Sequence, residues 1–175
     1  MPGANKSTKT MCGIDKFYVA YFLMHIPITL IIDSCIIIPE EQRFQFQKQF
    51  LEFHISSNKD FLLVSLPLWL KVFGLFELFV QLPFFAIGAY MLVKQMKQVY
   101  PYMLIYGFNA SFTTLVCLVH IFCDYERFGL TTGESYKLAA LYIPYLVIPL
   151  VMLVDYSIRI NKSIKAHIPP TKKNI

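Results

Sequence analysis

Polar side chains inside a hydrophobic stretch are the first indication of chemistry in this chain. The almost continuously apolar segment YFLMHIPITLIIDSCIIIP, residues 21–39, contains His25, Thr29 and Asp33 at intervals of four residues. On a helix this spacing places all three on one face. A carboxylate is costly inside an apolar helix, so the stripe predicts a buried partner, which could be another helix, water or a ligand.

A second apolar stretch carries a matching pair, Glu77 and Gln81, again four residues apart. If the two stretches form antiparallel helices, a rise of about 1.5 Å per residue puts Asp33 beside Glu77 and His25 near Gln81. Two carboxyl groups in one dry site cannot both ionise at low cost. We therefore expect one to keep its proton and hydrogen-bond the other, leaving a single negative charge. That charge would attract an amine; alternatively, the pair could shuttle a proton, or each group could simply be satisfied by its neighbours.

The composition indicates that these residues lie in a membrane. The chain has 175 residues, of which 56% are hydrophobic and 16% aromatic, and its mean hydropathy is +0.51. Average proteins are about 45–50% apolar even when glycine is included, so we predict an all-α membrane protein with no separate soluble domain. Its membrane domain, residues 17–158, is expected to be a four-transmembrane-helix bundle with kinked helices and an intramembrane ligand pocket. The expected spans are residues 17–38, 67–93, 102–123 and 138–158.

Two further features shape the expected pocket. Prolines inside the spans should bend the helices and help to open a cavity. These prolines are Pro27, Pro83, Pro144 and Pro149. Residues 39–65 interleave phenylalanine with charged and amide side chains, which is typical of an amphipathic segment that lies at the membrane interface and caps the bundle.

The basic residues predict the topology. Ten of the 16 Lys and Arg residues lie in the N-terminal tail (residues 1–16), the turn between the second and third spans, or the C-terminal tail (residues 159–175). The positive-inside rule places both tails in the cytosol, and the net charge of +5 reflects topology rather than nucleic-acid binding. Lys172 and Lys173 match the dilysine pattern for retrieval from the Golgi to the endoplasmic reticulum, a receptor-read signal. The alternative is a basic tail that only fixes the topology.

The four cysteines do not suggest a metal site. They show neither CxxC spacing nor a histidine at metal-ligand spacing, and we expect neither a metal nor a cofactor. A disulfide between Cys35 and Cys123 is possible because both could lie near the lumenal surface, but the sequence alone cannot fix that geometry. The simpler interpretation is that all four are small buried side chains.

Three blocks of the sequence, YFLMHIPITLIID, FELFVQLPFF and YIPYLVIP, resemble the sigma-2 receptor family. That family consists of four-span endoplasmic reticulum proteins within the superfamily of emopamil-binding protein, a sterol isomerase. The resemblance covers all four spans in order. It implies a deep pocket that opens toward the membrane, binding of sterols and cationic amphiphiles, and homodimers. It also implies a role in cholesterol homeostasis, including through the Niemann–Pick type C sterol transporter.

The resemblance also assigns roles to individual residues. Asp33 would form the salt bridge with a ligand amine, and Glu77 would be its protonated neighbour. Asp60 matches an acidic residue of a lumenal loop that is important for the pocket. The remaining pocket residues would be His25, Gln81, Thr114 and Tyr145. None of these residues is assigned a catalytic role.

Two functions from different classes fit these observations. A receptor or regulator would bind a sterol or an amphiphilic amine in the pocket and act through partners. A sterol double-bond isomerase would use the same carboxyl groups for acid–base chemistry, with aromatic rings stabilising a carbocation. We favour the receptor, without enzymatic activity, because the resemblance is closer to the sigma-2 branch. A trafficking chaperone is a third interpretation, and a solute channel is disfavoured because the polar groups form no obvious path through the bundle.

Overall fold

The structure is a computed structural model that describes residues 11–167. Most of the predicted N-terminal tail and the predicted retrieval signal, Lys172 and Lys173, lie outside the described residues. All regular structure in the described range is helical. The α-helices are α1 (Gly13–Ile31), α2 (Gln45–Asn58), α3 (Phe61–Ser65), α4 (Leu68–Phe76), α5 (Leu82–Val93), α6 (Val99–Asp124) and α7 (Thr132–His167). Short 3₁₀ turns cover Asp33–Ile36 and Glu40–Gln42, and a π-helical segment, Glu77–Gln81, joins α4 to α5.

Four helical stretches are long and apolar enough to cross a membrane. They are Gly13–Ile36, Leu68–Val93, Val99–Asp124 and Thr132–Ala166. The predicted all-α architecture with four membrane-spanning helices is therefore confirmed. Large apolar side chains such as Phe79, Phe108 and Val154 are exposed on the outside of these helices, as expected for surfaces that meet lipid tails.

The outer boundaries of the first and last helices differ from the prediction. α1 begins at Gly13 rather than near residue 17, and α7 continues to His167, well past residue 158. An ion pair between Arg159 and Asp15 joins the two added ends, and Asp155 extends it into a network. Arg159 contacts Asp15 through Nη1 at 2.8 Å and Asp155 through Nη2 at 2.9 Å. These pairs stabilise helical geometry in segments whose polarity alone suggests a tail.

The segment between the first two spans forms α2 and α3, neither of which is long enough to cross a membrane. α2 buries only Gln47 and Leu51. The phenylalanines exposed along α2 and at its N-cap are Phe44, Phe46, Phe50 and Phe53. This one-sided burial matches the amphipathic pattern of the sequence, and the location of the segment at a membrane interface stays a prediction.

α6 and α7 approach each other closely at Gly107. A Cβ atom at this position would lie 2.7 Å from the Leu153 backbone nitrogen and 2.7 Å from the Pro149 carbonyl oxygen. Glycine is needed here because it alone lets one helix backbone pack directly against another. The contact fixes the separation of two helices that both line the central cavity.

Two hydrophobic clusters stabilise opposite ends of the bundle. The first lies at the end where the described chain begins and finishes, and its large buried members include Tyr18, Phe22, Phe85, Met103 and Tyr156. The second includes Phe61, Leu62, Ile121 and Leu138. Residues of both clusters line one cavity, so the packing that stabilises the fold also shapes the candidate site.

Candidate functional site

The bundle contains a cavity of about 370 Å³, within the range of about 300–1,000 Å³ that is usual for small-molecule sites. All four membrane-spanning stretches and α2 contribute to its wall, which is predominantly apolar. Every pocket residue expected from the resemblance lines it: His25, Asp33, Asp60, Glu77, Gln81, Thr114 and Tyr145. The structure therefore brings these residues together, and their role in binding stays a prediction.

Asp33 and Glu77 meet in this cavity, together with His25. One ligand atom from each of the three side chains lies within 4.8 Å of the other two. The buried Thr29 hydroxyl donates a hydrogen bond to Glu77 Oε1 at 3.0 Å, and His25 Nε2 lies 3.7 Å from the same oxygen. The polar stripe of the first span therefore faces the carboxyl group of Glu77. Two carboxyl groups this close in a desolvated site cannot both ionise at low cost, so the geometry is compatible with the single negative charge expected from the sequence.

The same three side chains also offer atoms of the types that bind a divalent metal ion. The sequence analysis predicted no metal site because it relied on the spacing of the cysteines. These three donors come from two separate spans, a grouping that spacing along the chain does not reveal. An organic ammonium group and a divalent cation are therefore both compatible with the cluster, and a binding experiment has to distinguish them.

The π-helical segment positions Glu77 and Gln81. At its end the Leu82 N–H donates to the Glu77 carbonyl oxygen, five residues earlier, instead of the usual four. Pro83 follows immediately and has no N–H to donate, so the helix accommodates the proline through one widened turn. The widened turn keeps both side chains on the cavity wall. Such π-helical turns are frequent at functional sites.

Asp60 is fully buried, and both of its carboxylate oxygens have hydrogen-bond partners within the protein. Oδ1 accepts from the backbone N–H groups of Leu62 at 3.1 Å and Leu63 at 3.4 Å, which caps α3. Oδ2 accepts from the Tyr142 hydroxyl at 2.9 Å and lies 3.1 Å from His54 Nε2. Asp60 thus joins α2, α3 and α7 at the cavity wall. Its geometry indicates a support for the pocket more than a free carboxylate for a ligand.

Thr114 and Tyr145 connect α6 and α7 beside the cavity. The Thr114 hydroxyl is 2.8 Å from the Ala110 carbonyl oxygen in its own helix and 3.2 Å from the Tyr145 carbonyl oxygen in α7. The Tyr145 ring packs edge-on against the His25 imidazole, with ring centroids 5.0 Å apart. These contacts fix the imidazole on one side of the site.

Several residues of the site were missed by the sequence analysis. The Phe85 and Tyr21 rings pack on His25 with centroid distances of 4.9 Å and 5.1 Å, and the Tyr106 hydroxyl lies 3.5 Å from that of Tyr21. Tyr21 precedes His25 by four residues, so extending the polar stripe backwards would have identified it. His54 carried no such signal, because it reaches the cavity from α2, whose placement depends on tertiary packing.

The cysteines differ from both sequence interpretations. All four are free in this structure, which therefore contains no disulfide between Cys35 and Cys123. Cys35 and Cys117 are buried, as expected, whereas Cys12 and Cys123 are exposed. The exposed pair lies at helix ends, at the N-cap of α1 and near the end of α6, where less of the bundle surrounds a side chain.

Comparison with known proteins identifies the family. Residues 46–156 match the family described as EXPERA (expanded EBP superfamily). The chain belongs to this superfamily. The matched region runs from the start of α2 into the last third of α7 and so includes the second and third membrane-spanning stretches and most of the fourth.

Individual relatives agree with the family match. The chain is 36% identical over 149 residues to efficient mitochondria targeting-associated protein 19 of Saccharomyces cerevisiae, which covers 78% of this chain and 92% of the relative. It is 34% identical over 145 residues to sigma intracellular receptor 2 of Homo sapiens, with coverage of 77% and 81%. It is 32% identical over 165 residues to the Macaca fascicularis protein of the same name, with coverage of 88% and 89%. The resemblance to the sigma-2 receptor family is therefore confirmed.

Proposed function

We propose that this protein is a sigma-2-receptor-like protein of the endoplasmic reticulum membrane that binds sterols and cationic amphiphilic ligands and acts in cholesterol homeostasis and trafficking. The observation that carries the proposal is the carboxyl pair of Asp33 and Glu77 on the wall of a predominantly apolar cavity. A negative charge in such surroundings requires a compensating partner. The ammonium head of an amphiphile supplies that charge.

The apolar part of the wall suits the body of the same ligand. Ile28 and Ile32 lie on the wall from the first span, and Leu70 and Phe73 from the second. Burying an apolar body against such side chains contributes about 25 cal/mol per Å² of surface removed from water. An amphiphile with its head at the carboxyl pair and its body along this wall is stabilised both by the charge interaction and by burial of its apolar surface. An uncharged sterol is stabilised mainly by the burial.

A sterol double-bond isomerase is the alternative, and the surroundings of His25 favour it. An isomerase needs one group to protonate a double bond, another to remove a proton, and stabilisation of the carbocation between them. The carboxyl pair and the imidazole lie close enough to act together. The rings of Tyr21 and Tyr145 line the same cavity and could stabilise a cation.

Location and partners form part of the proposal. The dilysine pattern at Lys172 and Lys173 and the distribution of basic residues support an endoplasmic reticulum protein with cytosolic termini. The sigma-2 relationship supports a homodimer and a link to the Niemann–Pick type C sterol transporter. The yeast relative's name associates that protein with targeting to mitochondria. A role in the trafficking of other proteins is therefore the next hypothesis to test if no ligand binds.

The test is binding of a radiolabelled cationic amphiphile to the purified full-length protein in detergent, with sterol turnover followed in the same preparations. Wild type is compared with Asp33→Asn and Glu77→Gln. Asp124→Asn is a matched control, because Asp124 lies at the end of α6 beside His120 and away from the cavity wall. Parallel samples contain EDTA or added Zn²⁺.

The proposal predicts tight binding that collapses in Asp33→Asn, survives in Asp124→Asn and in EDTA, and is accompanied by no sterol product. Accumulation of a sterol with a shifted double bond, abolished by both cavity variants, identifies an isomerase instead. Loss of binding in EDTA with recovery in Zn²⁺ assigns the cluster to a metal. Unchanged binding in both cavity variants means that the carboxyl pair is structural and that the site assignment is wrong.

A further inference from the structure

Gln47 is one of the two residues that α2 buries, and its amide group reaches into the first span. Nε2 donates to the Leu30 carbonyl oxygen at 2.9 Å and to Ser34 Oγ at 3.0 Å. Oε1 accepts from the Phe44 backbone N–H at 3.0 Å. We propose that Gln47 is a positioning residue for Asp33: through these bonds α2 holds the turn that carries the ligand-binding carboxyl group.

The turn that carries Asp33 depends on support from outside its own helix. The first span changes at Asp33 from an α-helix to a 3₁₀ turn, whose hydrogen bonds have poorer geometry. The last carbonyl groups of a helix also lack partners within it. Side chains supply those partners here. Besides the Gln47 bonds, Arg43 donates from Nε to the Ile38 carbonyl oxygen and from Nη2 to the Cys35 carbonyl oxygen, each at 2.8 Å.

α4 fixes the same turn from another side. A Cβ atom on Gly74 would lie 2.9 Å from Ile36 Cγ2, so the Ile36 side chain packs directly on the α4 backbone. Glu77 follows Gly74 by three residues, about one helical turn along. The turn is therefore held between Gln47 and the backbone that leads into Glu77. Loss of the Gln47 bonds frees the turn to rotate and moves the carboxyl group of Asp33 relative to that of Glu77.

The inference rests on the proposed function, because it assigns Gln47 a role through the binding of a cation by Asp33. A displaced carboxyl group weakens the binding of a cationic head but leaves the burial of the apolar body unchanged. If Gln47 had a purely structural role, its loss would weaken the binding of all ligands alike. The quantity that separates the two roles is the ratio of the Kd values of an amine and its uncharged isostere.

The experiment uses a radiolabelled tertiary-amine amphiphile and, by competition, the matching compound in which CH replaces the amine nitrogen. Gln47→Met has a similar side-chain volume and removes both amide donors. Three hydrogen bonds of the amide group are lost, but only their effect on the position of Asp33 changes ligand binding. The affinity for the amine should therefore fall about tenfold, a change as large as the contribution of one typical hydrogen bond. The affinity for the isostere should stay within about twofold. Ser34→Ala removes one acceptor of the Gln47 amide and should change the ratio in the same direction by a smaller factor.

The matched control is Lys137→Met. It removes another bond to α2, from Lys137 Nζ to the Ser57 carbonyl oxygen at 2.7 Å, at the end of α2 distant from the turn, and should leave the ratio unchanged. If Gln47→Met weakens the binding of both probes equally, or of neither, the inference is wrong. If wild type binds both probes equally well, the proposed cation site is wrong, and the inference about Gln47 is then wrong too. If Gln47→Met does not fold, the ratio of Kd values for Ser34→Ala is the test: an unchanged ratio contradicts the inference.

Discussion

Replacing Gly107 by alanine should separate α6 from α7. The new Cβ atom would lie 2.7 Å from the Leu153 nitrogen and the Pro149 carbonyl oxygen, whereas ordinary van der Waals contact begins near 3.4 Å. The helices must therefore move apart by about 0.7 Å, because backbone atoms cannot rotate away as a side chain does. Overpacking of this kind costs about 1–3 kcal/mol, and the better helix propensity of alanine returns at most about 1 kcal/mol. The net effect is destabilisation on the order of 1 kcal/mol.

The same separation should reach the candidate site. The Thr114 hydroxyl lies 3.2 Å from the Tyr145 carbonyl oxygen across this interface. Adding the separation lengthens that contact to about 3.9 Å, beyond hydrogen-bond range. Gly107→Ala should therefore lower the thermal unfolding midpoint in detergent and weaken the cationic ligand. Gly133→Ala is the control, because a Cβ atom at Gly133 meets nothing within 4 Å. Equal midpoints for wild type and both variants would refute the close-packing argument.

Three further substitutions test separate parts of the structure. Tyr142→Phe removes the 2.9 Å donor to buried Asp60, and the free energy of unfolding should fall by about 1–3 kcal/mol; an unchanged thermal midpoint would contradict this. Arg159→Met leaves the partly buried carboxylates of Asp15 and Asp155 without a cation, so the free energy of unfolding should fall by about 1–2 kcal/mol. Neutralising both carboxylates in the same variant should restore the thermal midpoint. Thr29→Val removes the hydroxyl donor to Glu77 and should weaken an amine ligand about three- to tenfold while sparing its uncharged isostere, as measured by radioligand competition.

The number and order of the spans could be predicted from the sequence, because hydropathy over about 20 residues decides whether a helix can cross a membrane. The ends of the first and last helices could not. Asp15 and Arg159 lie in polar segments that resemble tails, and spacing along the chain does not reveal that the two side chains meet at 2.8 Å. The π-helical turn at Glu77–Gln81 was also missed, since Pro83 predicts a distortion without specifying its form.

The centre of the candidate site could be predicted for a similar reason. A spacing of four residues places His25, Thr29 and Asp33 on one face of any helix that contains them. Residues that reach the site from irregular or short elements could not be found this way. In the sequence Gln47 is one of several polar residues of an amphipathic segment, and only the fold shows that it hydrogen-bonds to the first span. Nor does spacing along the chain reveal that Asp60 is enclosed by partners from α2, α3 and α7.

The central claim is that a cationic amphiphile binds inside the bundle at the carboxyl pair, and photoaffinity labelling tests it most directly. A cationic amphiphile carrying a diazirine is crosslinked to the full-length protein, and the modified residues are mapped by mass spectrometry. The account predicts labels on cavity residues such as Gln81 and Tyr145, lost with excess unlabelled amine and in Asp33→Asn. Labels confined to outward-facing residues such as Phe108 and Phe112, and unaffected by the competitor, would contradict it.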